Sequence, residues 1–249
     1  ASIGVAAFPQ DGETGHELMR RSDLALYAAK RCGGDDWRRF KPDYEANAAR
    51  LLDLRTRFYK ALANGQIQIY FQPIVALNGA PPSFEALVRW IDDDGTILRP
   101  ASFVEILEEE PSAREIGNLA LHTVIAQIEQ WDRDGLAFTT VTVNATGPDL
   151  RSDAFMKTIT EAIAQGRIKP SQLGIEITEG MLLDRQARRV RQSIDLLYKL
   201  GVCIAFDDFG TGFASLTHLR ELPIHVVKID RSFVQSICTN PKDSVIVES

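Results

Sequence analysis

The stretch VCIAFDDFGTG at residues 202–212 predicts an apolar strand that runs into two adjacent acids and a loop with two glycines. Asp207 and Asp208 would repel each other at a strand tip, and a bound cation would remove that penalty. A turn or a helix cap is the commoner role for such a pair. The loop is either a plain strand-to-helix turn or a mobile loop that couples metal occupancy to another surface of the protein.

Outward from this stretch, strand patterns alternate with helical ones. Strands are predicted at 67–71, 84–90, 139–144, 173–177, 202–206 and 226–229, and helices at 100–109, 116–133, 154–164, 185–200, 213–222 and from near 243. Such alternation predicts an α/β protein with a parallel sheet and crossover helices. A TIM-type barrel would gather polar residues at many strand ends, whereas the competing doubly wound sheet would place its chemistry at one switch point.

The first part of the chain is predicted to be smaller and simpler. A strand at 2–8 and a helix at 16–30 precede Cys32-Gly33-Gly34, which is typical of a helix stop. Residues 33–37 are interpreted as an exit loop. An amphipathic helix follows at 43–64. One strand and one helix are too little to bury a core of their own.

Composition narrows the classes of function. The 249 residues are 45% hydrophobic and 25% charged, as in ordinary globular proteins, and the formal net charge is -6. An acidic balance argues against a DNA or RNA coat, because phosphate backbones need clustered Lys and Arg. The odd cysteine count without a CxxC pair predicts a reducing, cytoplasmic location. No run of about 18 apolar residues occurs, so neither a transmembrane helix nor membrane contact is expected from this segment.

Six polar residues are predicted at or just past strand ends. They are Glu85, Asn144, Glu176, Asp207, Asp208 and Lys228. Five of them carry oxygen ligands, which hard ions such as Mg²⁺ or Mn²⁺ prefer, and adjacent carboxylates suit a two-metal hydrolase site. Taken singly, each residue is better explained by an ion pair, a turn or a solvated strand. Their joint placement favours a metal site.

Six sequence motifs occur in the order and spacing of one known family. They are YFQPI at 70–74, FEALVRW at 84–90, VNAT at 143–146, IEITE at 175–179, DDFGTGFASL at 207–216 and VKIDRSF at 227–233. Through them, residues 58–249 resemble the EAL-domain c-di-GMP phosphodiesterases. Residues 1–42 resemble the C-terminal end of a GGDEF, or diguanylate cyclase, domain through ASIGVA at 1–6 and SDLALYAAK at 22–30. Residues 43–57 would then be a connecting helix.

The resemblance implies a fold and an incomplete C-terminus. The family fold is a TIM-like (β/α) barrel, here of the EAL type and truncated, because the family's last two strand–helix units would follow Ser249. Those units would supply one more acidic ligand and a substrate-contacting glutamine. A barrel without them is expected to expose an unpaired strand edge.

The resemblance also implies residue roles in the hydrolysis of c-di-GMP to linear pGpG. Glu85, Asn144, Glu176 and Asp207 would hold one Mg²⁺ or Mn²⁺ ion, and Asp207 with Asp208 the second. Lys228 would orient the attacking water or help to deprotonate it. The substrate-binding residues would be Gln72, Leu87 and Arg89. Glu179 would anchor the loop at 207–216, through which a homodimer is expected.

The alternative to an enzyme is a catalytically weak or inactive EAL domain that acts as a c-di-GMP receptor. Such domains typically lose the EAL glutamate or one of the paired aspartates, and Glu85, Asp207 and Asp208 are all present. The chain does depart from the family pattern elsewhere. VNATGP at 143–148 replaces the usual VNxSxxQ pattern, Gly180 replaces a small polar residue, and Phe213 stands where Tyr is common.

Overall fold

The computed structural model describes residues 1–31, 35–107, 109–183, 187–209, 222–240, 243–244 and 247. The chain divides into two compact units, Ala1–Gln66 and Ile67–Ser249. Each unit has its own sheet. Along the described residues, no helix combines the length and apolar character needed to cross a bilayer.

The first unit contains two strands and two helices. They are β1 (Ile3–Val5), α1 (Gly15–Arg31), β2 (Trp37–Arg39) and α2 (Pro42–Ala63). Both helices were predicted, but the exit-loop interpretation of residues 33–37 was wrong at Trp37, which begins β2 and pairs in parallel with Ile3. The predicted helix stop at 32–34 lies outside the described residues. The strand predicted at 2–8 is shorter because a turn follows it, in which the Ala7 N–H donates to Asp11 Oδ2 at 2.8 Å.

The second unit alternates strands and helices. Its strands are β3 (Ile67–Ile74), β4 (Ser83–Ile91), β5 (Ile97–Leu98), β6 (Val141–Asn144), β7 (Leu173–Thr178), β8 (Cys203–Phe209) and β9 (Val226–Ile229). Its helices are α3 (Val104–Leu107), α4 (Glu110–Arg133), α5 (Gly147–Leu150), α6 (Asp153–Ala164), α7 (Gly180–Leu183), α8 (Ala187–Lys199) and α9 (Arg231–Ser236). Short 3-10 turns occur at Pro100–Ser102 and Pro170–Gln172. The helix predicted at 213–222 falls almost wholly outside the described residues.

The strands of the second unit form one sheet in the order β3-β4-β6-β7-β8-β9, with β5 beside β4. From β4 through β6 to β9 the pairing is parallel, as predicted. The pairing of β3 with β4 is antiparallel, which corrects the expectation of a uniformly parallel sheet. Parallel neighbours need a crossover of roughly a dozen residues or more, usually a helix, and residues 75–82 provide no helix.

The strand order decides between the two predicted architectures. In the described part of the sheet each new main strand is added beside the previous one, and the direction of winding never reverses. A doubly wound sheet would contain a reversal, the switch point at which its ligand binds. The observed order is the winding of a barrel, and among the described strands it forms an open path from β3 to β9.

Helices pack on one face of this sheet. The buried residues Leu121, Val124, Ile125 and Ile128 recur at helical spacing on α4, and Val190, Ile194 and Leu197 do so on α8. They share one core with Ile175 and Ile177 of β7. Because side chains alternate along a strand, Glu176 must lie on the opposite face of the sheet.

Candidate functional site

Strand register brings the candidate residues to one face of the sheet. Asn144 at the end of β6 pairs with Glu176 of β7, and Glu176 pairs with Ala205, two residues before Asp207. Glu85 of β4 pairs with Thr142, two residues before Asn144. Residues two apart on a strand share a face, and neighbours in parallel register do so as well. Glu85, Asn144, Glu176 and Asp207 therefore lie side by side.

These residues are not all at strand ends, which corrects the prediction. Asn144 does end β6, but Glu85 is the third residue of β4 and Glu176 the fourth of β7. The strands are staggered, so that β4 and β7 extend further than β6 where the site lies. The common level of the sheet, rather than the last residue of each strand, brings the side chains together.

The ammonium group of Lys228 lies between three carboxylates. Its Nζ is 2.9 Å from Glu176 Oε1, 3.0 Å from Glu85 Oε2 and 3.4 Å from Asp207 Oδ1. Asn144 donates from Nδ2 to the other oxygen of Glu85 at 3.0 Å. Five residues from five strands are thus joined in one polar cluster, of which Glu176 is the most buried, with a side chain only 1% exposed.

The two adjacent aspartates occupy a β-bulge. Phe206 pairs with Val227 and Phe209 with Ile229, so β8 contains one residue more than β9 over this span. Asp208 has φ 56°, in the left-handed region that aspartate and asparagine tolerate better than most residues. The bulge interrupts the strand's alternation at the acid pair. The strand predicted at 202–206 therefore continues through both aspartates to Phe209.

The electrostatics of the cluster are dominated by burial and by crowded negative charge. Burial raises the pKa of Glu176 to about 7, and Glu85 and Asp207 add to this while Lys228 opposes it. Burial disfavours the charge on Lys228, but bonds to Glu176 and Glu85 outweigh that effect and raise its pKa. Partial burial, Asp207 and Asp230 raise the pKa of Asp208. One ammonium therefore leaves negative charge uncompensated.

The donor set fits a hard divalent cation. Every candidate ligand offers oxygen, and the buried Glu176 Oε2 has no hydrogen-bond partner among the described residues. The carboxylates surround the Lys228 ammonium, and no group of three or more acidic, histidine or cysteine side chains in the described segments is arranged around a common metal position. A metal would have to share this cluster with Lys228 or displace its ammonium.

The predicted substrate-binding residues lie on two neighbouring strands. Gln72 of β3 pairs with Glu85 and is exposed. Leu87 and Arg89 follow Glu85 at alternate positions of β4, on the face that carries Glu85. Arg89 donates from Nη1 to the Val88 carbonyl at 2.8 Å.

Glu179 follows β7 directly, and its backbone carbonyl accepts from Leu182 at 2.9 Å as the chain enters α7. Its side-chain Oε1 is buried and unpartnered among the described residues. Of the loop at 207–216 that it was predicted to anchor, residues 210–216 lie outside the described part of the chain. The anchoring role therefore stays a prediction.

Sequence reasoning missed Thr146 and Asp149. They form a capping box at α5, in which the Thr146 backbone N–H and hydroxyl both donate to Asp149 Oδ2, at 2.8 Å and 2.6 Å. Asp149 is buried, with 1% exposure. The T-x-x-D spacing resembles the capping-box pattern and could have revealed the pair. Both residues also line a cavity that reaches Glu85 and Asn144.

Comparison with known proteins gives a consistent set of relatives. The chain is 33% identical over 250 residues to the bifunctional diguanylate cyclase/cyclic di-GMP phosphodiesterase MucR of Pseudomonas aeruginosa, covering all of this chain and 36% of MucR. It is 31% identical over 253 residues to the cyclic di-GMP phosphodiesterase NbdA of the same organism, covering all of this chain and 32% of NbdA. The chain thus spans about a third of the length of these curated relatives.

Comparison with solved structures finds the same kind of relative as the sequence comparison. The PaMucR phosphodiesterase in its c-di-GMP complex has a TM-score of 0.70 and 30% identity, over 78% of this chain and 79% of that one. The family described as EAL domain matches residues 55–249, well over half of the chain. The chain therefore belongs to the EAL domain family.

Proposed function

We propose that the chain is a metal-dependent phosphodiesterase that hydrolyses c-di-GMP to linear pGpG. The observation that carries the proposal is the cluster in which Glu85, Glu176 and Asp207 lie within 3.4 Å of the Lys228 Nζ. It is supported by the similarity to MucR and NbdA, whose names describe cyclic di-GMP phosphodiesterases.

The metal ligands of this proposal are the oxygen donors of the cluster. Glu85, Asn144, Glu176 and Asp207 would hold one Mg²⁺ or Mn²⁺ ion, and Asp207 with Asp208 would hold the second. Bound ions of this kind supply Lewis acidity at a phosphoryl group and lower the pKa of a coordinated water. The unpartnered Glu176 Oε2 supports the assignment, because it leaves a buried oxygen available as a ligand.

The chain's own residues would position the reactants. Gln72, Leu87 and Arg89 would hold the dinucleotide along β3 and β4. Lys228, fixed by Glu85 and Glu176, would orient the attacking water or help to deprotonate it. In the reaction a bond forms between the water oxygen and phosphorus, the bond from phosphorus to one ribose 3′ oxygen breaks, and that oxygen takes up a proton.

The test is conversion of c-di-GMP by the purified chain, with Mg²⁺ or Mn²⁺, followed by chromatographic detection of pGpG. Glu85→Gln should abolish turnover while the circular dichroism spectrum is retained, and Glu129→Gln, a change at an acid outside the cluster, should leave turnover intact. Binding of c-di-GMP without turnover by the longer parent protein would identify a receptor instead. If that protein neither bound nor hydrolysed c-di-GMP, the proposal would be refuted.

The finer organisation of the molecule belongs to the same proposal. We infer that residues 1–42 are the end of a GGDEF domain, that 43–57 form a connecting helix, and that 58–249 belong to the EAL domain. The strand–helix unit β1-α1 supports the assignment of residues 1–42 to the end of a GGDEF domain. The sequence that precedes residue 1 in the parent protein tests it, because a diguanylate cyclase signature must be found there.

Glu179 is proposed to anchor the 207–216 loop, and a homodimer to form through this region of the EAL domain. The unpartnered, buried Oε1 of Glu179 supports the first role. Light scattering coupled to size-exclusion chromatography measures whether the homodimer forms. Wild-type protein is expected to be dimeric and Glu179→Ala to shift toward monomer, and a wild-type monomer at micromolar concentration would contradict the dimer.

A further inference from the structure

A cavity of about 310 Å³ opens beside the acidic cluster. It shares Glu85 and Asn144 with the cluster, so a ligand whose phosphodiester lies at those residues can place its next group in the cavity. The walls are mainly apolar, formed by Ala86, Leu87, Pro100, Leu107, Ile116 and Ala120. The volume lies at the small end of the range of ligand pockets, which suits a single flat group rather than a whole dinucleotide.

A second carboxylate besides that of Glu85, the carboxylate of Asp149, lines the same cavity. Its two hydrogen bonds from Thr146 both go to Oδ2. No hydrogen bond found in the described residues goes to Oδ1. Asp149 is almost wholly buried, with 1% of the residue exposed. Capping of α5 therefore accounts for one oxygen of Asp149 and leaves the other without an assigned role.

Gly117 of α4 makes room for this oxygen. An ideal Cβ at Gly117 would lie 2.3 Å from Asp149 Oδ1, so any larger residue would displace the carboxylate. Gly117 and Asp149 both line the cavity, so the absence of a side chain at Gly117 lets the Asp149 carboxyl group lie beside an apolar pocket. Burial raises the pKa of the Asp149 carboxyl, although the Thr146 bonds and the more distant Arg114 act in the opposite direction.

We infer that Asp149 is a specificity residue that reads the Watson–Crick edge of one guanine of the substrate, held between the apolar walls of this cavity. The inference rests on the proposed function and deepens it. Guanine presents two donors on that edge, N1–H and the 2-amino group, and a carboxylate presents acceptors only. Proteins read extruded bases in this way, by hydrogen bonds to the base edge and apolar contact with its faces.

The same chemistry rejects other purines. Adenine presents a ring acceptor at N1, which would face the negative oxygen of Asp149. Hypoxanthine keeps the N1–H donor but lacks the 2-amino group. Sites built on a buried polar partner discriminate strongly against a ligand that leaves the partner unpaired. The expected order of catalytic efficiency is therefore c-di-GMP, then c-di-IMP, then c-di-AMP.

The experiment measures kcat and KM of the full chain with Mg²⁺ on these three dinucleotides. In Asp149→Asn the carboxamide can still accept from Thr146, but its amino group then faces the base. For this variant kcat/KM on c-di-GMP should fall about tenfold to hundredfold, mainly through KM, and the preference over c-di-IMP should vanish. The ratio of two substrates within one variant does not depend on how much of that protein is folded.

Thr146→Ala is the matched control, because it removes the hydroxyl that donates to Asp149 Oδ2 and leaves both the carboxylate and the bond from the backbone N–H of residue 146. Its melting temperature should fall, and its ratio of c-di-GMP to c-di-IMP efficiency should stay at the wild-type value. An Asp149→Asn protein that keeps the wild-type ratio would overturn the inference. So would wild-type protein that converts both dinucleotides equally, and in that case the proposed phosphodiesterase function would still stand. Failure of wild-type protein to bind or convert any of the three would instead refute that function.

Discussion

At the scale of single residues, Lys228 supplies the charge that lets Glu85, Glu176 and Asp207 lie together. Lys228→Met keeps the apolar stem and removes the ammonium. Breaking a buried ion pair typically costs about 3–5 kcal/mol, and the partial exposure of Lys228 places the expected loss of unfolding free energy near the lower end, about 3 kcal/mol without metal. With Mg²⁺ the loss should be smaller, because a divalent cation replaces the missing charge.

Urea unfolding in EDTA and in Mg²⁺ measures both losses. Lys199→Met is the control, since Lys199 lies on the exposed last turn of α8. It should change the unfolding free energy little in either buffer. Equal losses for Lys228→Met in the two buffers would show that the metal and the ammonium do not serve the same carboxylates.

Asp208 allows a second prediction at this scale, because its backbone is in the left-handed region at φ 56°. Asparagine tolerates this conformation, whereas alanine pays about 1–2 kcal/mol for it. Asp208→Asn should therefore be more stable than Asp208→Ala by about 1 kcal/mol, and Asp208→Gly should be at least as stable as the alanine variant. Both the asparagine and alanine variants should lose turnover. Thermal unfolding gives the ranking, and alanine as the most stable of the three would contradict the bulge.

At the scale of elements, Gly174 of β7 pairs with Thr142 of β6, and the threonine methyl group occupies the space that a side chain at position 174 would need. An ideal Cβ at Gly174 would lie 2.3 Å from Thr142 Cγ2. Gly174→Ala should cost about 1–3 kcal/mol by overpacking, and it should reduce turnover because it shifts Glu176 relative to Asn144.

Thr142→Ser removes the clashing methyl group and keeps a hydroxyl that can donate to the Phe84 carbonyl, as Thr142 does at 3.1 Å. The double variant Gly174→Ala with Thr142→Ser should recover part of both the stability and the turnover. A double-mutant cycle on the unfolding free energy measures this coupling. Additive effects would show that the two positions do not meet.

Strands and helices were predictable where the hydrophobic periodicity of a segment and its length indicate the same type of element. The strand at 226–229 and the helix at 154–164 lie within one residue of the observed bounds. The β3–β4 hairpin was missed as an antiparallel pair, because each strand pattern is read alone and the pattern does not give direction. The bulge in β8 was missed for a related reason: it depends on the register with β9, which only the folded sheet defines.

At the scale of the whole molecule, the site was predictable as a set of residues but not as a geometry. The motifs named Glu85, Asn144, Glu176, Asp207 and Lys228, and the fold brings them together. Their stagger along the strands and the central position of the Lys228 ammonium follow from tertiary packing. Asp149 escaped notice because a short capping pattern gives no hint that a cavity lies beside it.

The net charge of the chain leads to the last prediction. The formal charge is -6, and c-di-GMP carries two negative phosphodiesters that would approach an acidic cluster. Without a divalent cation this encounter is repulsive, so dinucleotide binding should depend on metal. With Mg²⁺, a hydrolysis-resistant phosphorothioate analogue of c-di-GMP at a hundred times its Kd should stabilise the protein by about 2.7 kcal/mol. In EDTA the stabilisation by the analogue should nearly vanish, and the analogue should stabilise Glu85→Gln little in either buffer.

Because linkage is reciprocal, calorimetry should find that the analogue strengthens Mg²⁺ binding by the same factor by which Mg²⁺ strengthens binding of the analogue. Equal stabilisation by the analogue in EDTA and in Mg²⁺ would show that the dinucleotide is held without metal.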